Sequence, residues 1–337
     1  MSGTKRSPAA ALLLAGLGLL SMVRCGGRAV AEEVREVWEG HAGGVTDVTV
    51  LPGGEQAVSC GLDGTIKLWD ARSGRLLKDL LAGGGELFAV SADSAGRRIA
   101  ATGYDGRIWI VDLKNNSKRT LSGFRGWSAG VALSPDSRRV AAWSMDGDIW
   151  IFDVDSGDRV QTLKGQRNKW GMALAWSPDG KILAAARSVI SLWDVESGKT
   201  VRTLEGHLDF VRALAFSAEG KRLASASMDK CVKVWNLAEG KESVALKPEG
   251  FAFYADGEWV TEPIQLPATA AAFSADGKLL ATAGADRIVH VWDAETGTLR
   301  KEFKGHHNAV TAVAFSPDGS RLISSSLDHT IRVWKLD

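Results

Sequence analysis

The amino-acid sequence predicts an all-β fold, a seven-bladed β-propeller of four-stranded antiparallel blades. A segment with strand-type alternation, ending in an apolar residue followed by Asp or its equivalent, recurs about every 41 or 42 residues, with one longer interval. Turns rich in Gly and Asp separate the short apolar strands. A period of about 40 residues is the length of one blade. The seven segments are DGTIKLWD (63–70), DGRIWIVD (105–112), DGDIWIFD (146–153), RSVISLWD (187–194), DKCVKVWN (229–236), DRIVHVWD (286–293) and DHTIRVWK (328–335).

The last unit illustrates how each blade is built. Residues 309–316 alternate apolar and small side chains, as a half-buried strand does, and PDGS (317–320) is a turn. Residues 321–326 and 330–336 read as the second and third strands. A fourth strand, like VRTLEG (201–206) of an earlier unit, is missing from the last one.

The start of the repeat region supplies that fourth strand. EVREVWEG (33–40) resembles KTVRTLEG (199–206), although no blade precedes it. Pairing it with the last unit would close the ring and leave no open sheet edge. We therefore expect the N-terminal strand to complete the last blade.

Residues 1–31 have the features of a signal peptide. Lys5 and Arg6 precede an apolar run at 9–23, and AVA (29–31) offers a cleavage site. The run is shorter than the about 20 apolar residues that a membrane-spanning helix needs. We expect an exported protein, periplasmic or secreted, with the propeller at 32–337 and no stable membrane insertion after cleavage. The alternatives are anchoring by the uncleaved N-terminal segment and a cytoplasmic protein.

Composition argues against several classes of partner. The 41 Lys and Arg residues balance 40 Asp and Glu residues, so no global basic field attracts nucleic acid. The three cysteines, Cys25, Cys60 and Cys231, form no CxxC pair and no zinc-type cluster with His. We predict no metal site and no cofactor.

These motifs resemble those of the WD-repeat β-propeller family over about 305 residues, and the predicted export suggests a bacterial-type member. The resemblance rests on the Gly-His dipeptides, the SPDG turns and the Trp-Asp endings. It implies that three blades each contain a hydrogen-bond chain from a turn to an indole N–H. A His/Ser/Asp trio could suggest a hydrolase, but recurrence in three blades argues for a structural role. The three sets are His41, Ser59, Asp63 and Trp69; His207, Ser225, Asp229 and Trp235; and His306, Ser324, Asp328 and Trp334.

The other four units depart from that pattern. Three of them keep the acid, at Asp105, Asp146 and Asp286, but lack the His. The fourth unit lacks both, since Gln166 replaces the His and Arg187 takes the place of the Asp. We expect apolar packing, including Trp176 and Trp193, to hold this blade. In the other three units, Gly83, Phe124 and Ile264 stand roughly where the His would be.

The loops that enter blades 3, 4 and 5 carry aromatic residues in register, Trp127, Trp170 and Phe210. In the family this connection lies on the narrow top face, where partner peptides dock. Trp, Tyr and Arg are enriched at interface centres. The alternatives are that the Trp residues only cap their blades, or that they line a small-ligand pocket. The predicted partner-binding residues are Trp127, Trp170, Phe210, Tyr104, Arg125, Arg167, Lys169 and Arg187.

The long interval between the fifth and sixth units indicates an insertion at about 248–263. We expect an additional hairpin there, packing on its own blade or providing a second contact. The function predicted from all these features is a non-catalytic scaffold, a monomeric propeller that binds another protein or peptide through its top face. The alternative is a ligand-binding or enzymatic propeller with a pocket at the central channel.

Overall fold

The computed structural model describes residues 34–121, 123, 126–165, 173–246, 251–255, 258–264 and 267–336. These residues form seven four-stranded sheets and one two-stranded sheet, all antiparallel, which confirms the predicted seven-bladed propeller. Within this part of the chain, no helix has the length and apolar character needed to cross a bilayer.

The first strand of the chain, β1 (Val34–Glu39), precedes the three N-terminal blades. Blade 1 contains β2 (Val45–Val50), β3 (Gln56–Gly61), β4 (Ile66–Asp70) and β5 (Leu76–Leu81). Blade 2 contains β6 (Leu87–Ala92), β7 (Arg98–Gly103), β8 (Ile108–Asp112) and β9 (Lys118–Leu121). Blade 3 contains β10 (Val131–Leu133), β11 (Arg139–Trp143), β12 (Ile149–Asp153) and β13 (Arg159–Leu163).

The C-terminal half contains four blades and the inserted hairpin. Blade 4 contains β14 (Ala173–Trp176), β15 (Ile182–Ala186), β16 (Ile190–Asp194) and β17 (Lys199–Leu204). Blade 5 contains β18 (Val211–Phe216), β19 (Arg222–Ser227), β20 (Val232–Asn236) and β21 (Lys241–Leu246). The hairpin of β22 (Phe251–Ala255) and β23 (Glu258–Ile264) follows, in the interval where the insertion is expected. Blade 6 contains β24 (Ala268–Phe273), β25 (Leu279–Gly284), β26 (Ile288–Asp293) and β27 (Leu299–Lys304). Blade 7 contains β28 (Val310–Phe315), β29 (Arg321–Ser326) and β30 (Thr330–Lys335), and β1 is its fourth strand.

The blades are arranged around a central axis. The first strand of every blade contacts the first strands of both neighbouring blades, so these strands form the inner wall of the ring. The second strands are almost entirely buried, because blades pack against both of their faces. The fourth strands have exposed side chains and form the outer surface.

The apolar core lies between blades. Within the described residues it consists of seven clusters, each drawn from two adjacent blades. Buried apolar area stabilises the fold by roughly 25 cal/mol per Å². Since every cluster needs two blades, no blade can bury its own side chains alone.

The ring closes in blade 7. Strand β1 pairs antiparallel with β30, with Val37 opposite Arg332. The buried Trp38 of β1 then stacks on Trp69 of blade 1, with ring centroids 5.7 Å apart. The turn before β5 approaches the indole of Trp38 closely. A Cβ on Gly74, whose φ is 68°, would lie 2.2 Å from the Cδ1 atom of Trp38. Strand β1 therefore joins the last blade to the first.

We predict that removing residues 1–40 lowers the melting temperature sharply. The deletion removes the backbone ladder of β1 with β30 and the Trp38–Trp69 contact, which leaves β30 as an open edge. Circular dichroism during heating measures the change. The matched control lacks only residues 1–31 and keeps β1, so equal melting temperatures for the two truncations would contradict the closure argument.

Candidate interaction surface

Each of blades 1, 5 and 7 contains a chain of four side chains. In blade 5, Trp235 Nε1 donates to Ser225 Oγ at 2.8 Å, and Ser225 Oγ lies 2.7 Å from His207 Nε2. His207 Nδ1 lies 2.7 Å from a carboxylate oxygen of Asp229, which also accepts the Leu208 N–H. The same contacts occur at 2.7–3.1 Å among His41, Ser59, Asp63 and Trp69 and among His306, Ser324, Asp328 and Trp334.

One assignment of hydrogens satisfies every contact in the chain. The indole N–H can only donate and an ionised carboxylate can only accept. The Ser225 hydroxyl therefore accepts from Trp235 and donates to His207 Nε2, and His207 donates its Nδ1–H to Asp229. The imidazole is neutral in this arrangement, and all of its polar atoms are satisfied inside the blade.

The pKa shifts agree with a neutral His beside an ionised Asp. Burial lowers the pKa of His207 and His306, and the neighbouring carboxylates only partly oppose it. Burial acts to raise the pKa of Asp229, but hydrogen bonds from the Leu208 N–H and His207 hold it below its usual value. In blade 7, hydrogen bonds from His306 and Thr330 outweigh burial and hold the pKa of Asp328 well below the usual range.

Blade 6 contains a variant of the chain that sequence reasoning missed. Trp292 Nε1 donates to Thr282 Oγ1 at 2.8 Å, and Asp286 Oδ2 lies 2.8 Å from Nε2 of His290. This His comes from the third strand rather than from the entry loop, and its Nδ1 is 3.3 Å from Glu302 Oε1. The even spacing of His290 and Trp292 in DRIVHVWD places both on one face of β26 and could have revealed it.

Blades 3 and 4 are joined by indole hydrogen bonds instead. Trp176 of blade 4 donates to the Ala132 carbonyl at 2.9 Å, and Trp143 of blade 3 donates to the Ala173 carbonyl at 3.3 Å. Trp193 packs partly buried against the same apolar cluster. The blade that lacks both His and Asp is thus held to its neighbour through apolar packing and these bonds.

The top face carries the entry loops and the turns between second and third strands. In blade 5 the two are bonded together, since the Met228 N–H donates to the Phe210 carbonyl at 2.8 Å. Phe210 is 42% exposed and Leu208, two residues earlier, is 91% exposed. Leu208 did not belong to the predicted set; its N–H donates to Asp229 while its side chain is exposed.

Arg187 lies beside this apolar pair. Its carbonyl accepts the N–H of Val211, the residue after Phe210, at 2.5 Å. The guanidinium is half-buried, which lowers its pKa, and its Nε has no hydrogen-bond partner among the described residues. The backbone of Arg187 thus adjoins the loop that carries the two exposed apolar side chains, where blade 4 meets blade 5.

The remaining predicted residues lie elsewhere. Tyr104 is 39% exposed on blade 2, where its N–H donates to the Glu86 carbonyl. Trp127 is half-buried and packs edge-on against Phe88 at the axis, with ring centroids 6.1 Å apart. Arg125, Arg167, Lys169 and Trp170 lie outside the described residues.

A cavity of about 630 Å³ runs along the axis of the ring, lined by the first strands and by loops at both ends. Trp127 and Met228 are at its top end, and Pro52 and Pro135 are at the other end. In the described part of the chain, no group of three His, Cys, Asp or Glu side chains could hold a metal ion.

The closed ring, its recurrent His–Ser–Asp–Trp chains and its exposed top loops define a repeat β-propeller of the kind that serves as an interaction platform. The WD40 model, described as "WD domain, G-beta repeat", matches residues 32–70, 198–236, 265–293 and 297–335. A second model, the WD40 domain of anaphase-promoting complex subunit 4, matches residues 131–210. The chain belongs to the WD40-repeat family.

Similar curated proteins are eukaryotic. The U3 snoRNP-associated protein-like YAO of Arabidopsis thaliana is 34% identical over 31% of this chain and 21% of its own length. The nuclear distribution protein PAC1-2 of Uncinocarpus reesii is 27% identical over 58% of this chain and 38% of its own. The WD repeat-containing protein SL1-17 of Schistosoma mansoni is 29% identical over 60% and 54%. The chain thus spans only a fifth to about half of the length of these relatives.

The relatives overturn the prediction of an exported, bacterial-type protein. They are eukaryotic, and two of their names refer to the U3 snoRNP and to nuclear distribution, which point to an intracellular rather than an exported location. The export prediction rested on the order of two cations, an apolar run and a small-residue cleavage site, and Arg24 and Arg28 interrupt that pattern before the expected cleavage site. Residues 1–31 lie outside the described part of the chain, so the division at residue 31 stays a prediction.

We predict that Asp229→Ala lowers the free energy of unfolding by about 1–3 kcal/mol at pH 7, because it leaves His207 and the Leu208 N–H without their acceptor. The pKa of Asp229 is lower in the folded than in the unfolded chain. Its stabilisation is therefore present above pH about 4 and is lost as the pH falls through the folded-state pKa. Urea unfolding at several pH values measures the difference.

The matched control is Asp146→Ala in blade 3. This carboxylate has the same place in its turn but is exposed, and it accepts no hydrogen bond from the described residues. We expect little loss of stability. An equal loss at both positions would contradict the role given to the His–Ser–Asp–Trp chain.

Proposed function

We propose that this chain is a non-catalytic scaffold that binds another protein or peptide through its top face. The observation that carries the proposal is the exposed pair Leu208 and Phe210, on a loop whose end is bonded to the backbone carbonyl of Arg187. Apolar and Arg side chains of this kind are typical of interface centres, and they sit on loops that a rigid ring holds in place.

The His, Ser and Asp side chains support a scaffold rather than a hydrolase. Each imidazole is buried and already bonded on both nitrogens, and the arrangement recurs in three blades. A catalytic base must instead reach a substrate proton. The family match and the names of the relatives, one of which is described as associated with the U3 snoRNP, also support an interaction role.

We further propose a monomeric propeller extending over residues 32–337, with the hairpin of β22 and β23 as an addition between blades 5 and 6. Pairing of β1 with β30 completes blade 7, so the ring leaves no incomplete blade for a second copy to fill.

The test is photo-crosslinking in an extract of the native cell, with the crosslinker placed at residue 208. We expect specific adducts that decrease when Phe210→Ser is introduced as well, because the substitution removes apolar contact area. Phe210 is already half-exposed, so the melting temperature should change little. Absence of a reproducible adduct would contradict top-face binding.

The matched control places the crosslinker at Val201, an apolar residue that is 56% exposed on the outer strand β17. This position has similar character but lies on the side of the ring. The same adducts from both positions would indicate non-specific capture and argue against a top-face site.

A further inference from the structure

In blades 1, 5, 6 and 7 the third strand carries a basic side chain at one common place. The strand ladder fixes this place, because each basic residue lies opposite the Ser or Thr that accepts the indole N–H of its blade. These pairs are Lys67 with Ser59, Lys233 with Ser225, His290 with Thr282, and Arg332 with Ser324. All four basic side chains are mostly buried. A positive charge at this place is costly unless an anion lies beside it.

Three of these blades provide an acid for the basic side chain, and the acid always comes from the fourth strand. The pairs are Lys67 Nζ with Asp79 at 2.5 Å, Lys233 Nζ with Glu242, and His290 Nδ1 with Glu302 at 3.3 Å. Asp79 and Glu302 lie directly opposite their partners in the ladder between the third and fourth strands. The fourth strand therefore supplies the counterion in blades 1, 5 and 6.

Blade 7 has no such acid. Its fourth strand is β1, and the residue directly opposite Arg332 is Val37. Arg332 is only 8% exposed, its Nε atom is buried without a hydrogen-bond partner, and its guanidinium forms no ion pair with any described residue. Glu39 lies two residues further on the same face of β1, but it is exposed and does not pair with Arg332. Within the described part of the chain, Arg332 is a buried cation without a counterion.

The outer surface of blade 7 gives access to this cation. Strand β1 is the outermost strand of the blade, and Val37 is 42% exposed on it. Nε is the one guanidinium nitrogen of Arg332 that is both buried and unbonded, so the two terminal nitrogens retain contact with solvent. A ligand that covers Val37 can therefore bring an anion to the place that a fourth-strand acid has in the other three blades.

We propose that Arg332 and Val37 form a docking site for an acidic side chain, Asp or Glu, of a partner polypeptide. The guanidinium binds the carboxylate, and apolar atoms beside the carboxylate cover Val37. The ring itself supports this choice of ligand, because carboxylates have this place in blades 1, 5 and 6. A nucleic acid fits less well, since its phosphates need several cations and the exposed Glu39 repels them. The site lies on the side of the ring and does not depend on the proposed top-face interaction.

The first experiment supplies the missing acid from the chain itself. Val37→Glu places a carboxylate opposite Arg332, as in blades 1 and 6, whereas Val37→Gln places a neutral side chain of the same size there. We expect the folding equilibrium constant of the Glu variant to exceed that of the Gln variant at least about tenfold at pH 7, because the buried charge is then paired. Urea unfolding measures the difference.

The matched control is the same pair of substitutions at Thr203 of blade 4. Thr203 has the equivalent place on β17, opposite the uncharged Ser191. Thr203→Glu and Thr203→Gln should therefore have nearly equal stability. A difference as large as the one at Val37 would mean that the added carboxylate acts without Arg332, which contradicts the proposal.

The second experiment is titration of the whole chain with acetyl-Val-Glu-Val-amide, measured by calorimetry and by the NMR signal of the Arg332 Nε–H. The loss of this signal in Arg332→Gln identifies it. We expect the acidic peptide to shift the signal and to bind at least about tenfold more tightly than acetyl-Val-Gln-Val-amide, which cannot form the charge-assisted bond. Val37→Glu should abolish binding, because its own carboxylate then occupies the guanidinium. Inorganic phosphate should bind more weakly than the acidic peptide, because it makes no apolar contact with Val37.

Four results would overturn the proposal. They are equal stability of Val37→Glu and Val37→Gln, equal affinity for the two peptides, unchanged affinity in Arg332→Gln or Val37→Glu, and tighter binding of phosphate than of the acidic peptide. Arg332→Gln should remain folded, because it removes a charge that has no partner. Loss of the top-face crosslinks would affect none of these measurements, so the two proposals fail separately.

Discussion

Closure of the ring is the constraint on which the rest of this structure depends. Each apolar cluster is shared by two blades, so an open ring would expose the cluster between blades 7 and 1 as well as two strand edges. Strand β1 prevents this, because it hydrogen-bonds to β30 and places Trp38 against Trp69 of the first blade. Blades 7 and 1 are therefore buried on both sides only after β1 and the last blade have come together. Such non-local pairing makes folding slow in general.

The His–Ser–Asp–Trp chains address a different problem, which is how to bury polar groups inside a blade. An indole N–H and an imidazole without partners would each cost about 1–3 kcal/mol. In blades 1, 5 and 7 the His–Ser–Asp–Trp hydrogen bonds satisfy these groups one after another, from Trp through Ser and His to Asp. In blade 6, Trp292 donates to Thr282 and His290 bonds to Asp286, whereas the Nδ1 of His290 has no hydrogen-bond partner among the described residues. Blades 3 and 4 use carbonyl acceptors across their boundary. The His, Ser, Asp and Trp side chains of blades 1, 5 and 7 are hydrogen-bonded to one another. Binding must therefore use other side chains of the top loops, such as Leu208 and Phe210.

The fold could be predicted from the sequence because its signals are local and repeated seven times. Alternation, turn residues and Trp-Asp endings mark each blade, and 33–40 resembles a fourth strand. The surface was less predictable, because exposure depends on which way a loop side chain turns. Phe210 points outward, whereas Trp127, in register with it, turns into the channel against Phe88. Leu208 was missed for the same reason, whereas the even spacing of His290 and Trp292 on β26 could have revealed the hydrogen bonds of blade 6. The residues bulged out of the inner strands, such as Thr46 and Thr311, could be identified only from the pairing register of the strands, which the repeat pattern does not contain.

The second residue of five inner strands, which is bulged out of the ladder with the second strand, lies both at the contact between blades and on the axial cavity. A Thr at this position stabilises the contact between two blades, because its hydroxyl donates to a carbonyl of the next blade. It contributes to the cavity only a methyl group and this hydroxyl, whose proton is already bonded. Blades 2 and 5 have Phe88 and Arg212 at this position, and other contacts hold their boundaries, such as the Leu133 N–H bonded to Ser91 and the Arg222 guanidinium bonded to the Gly277 carbonyl. The Thr bond is present at three of the seven boundaries, and each boundary also has its apolar cluster. The inner strands can therefore vary in chemistry at single positions while the ring remains closed.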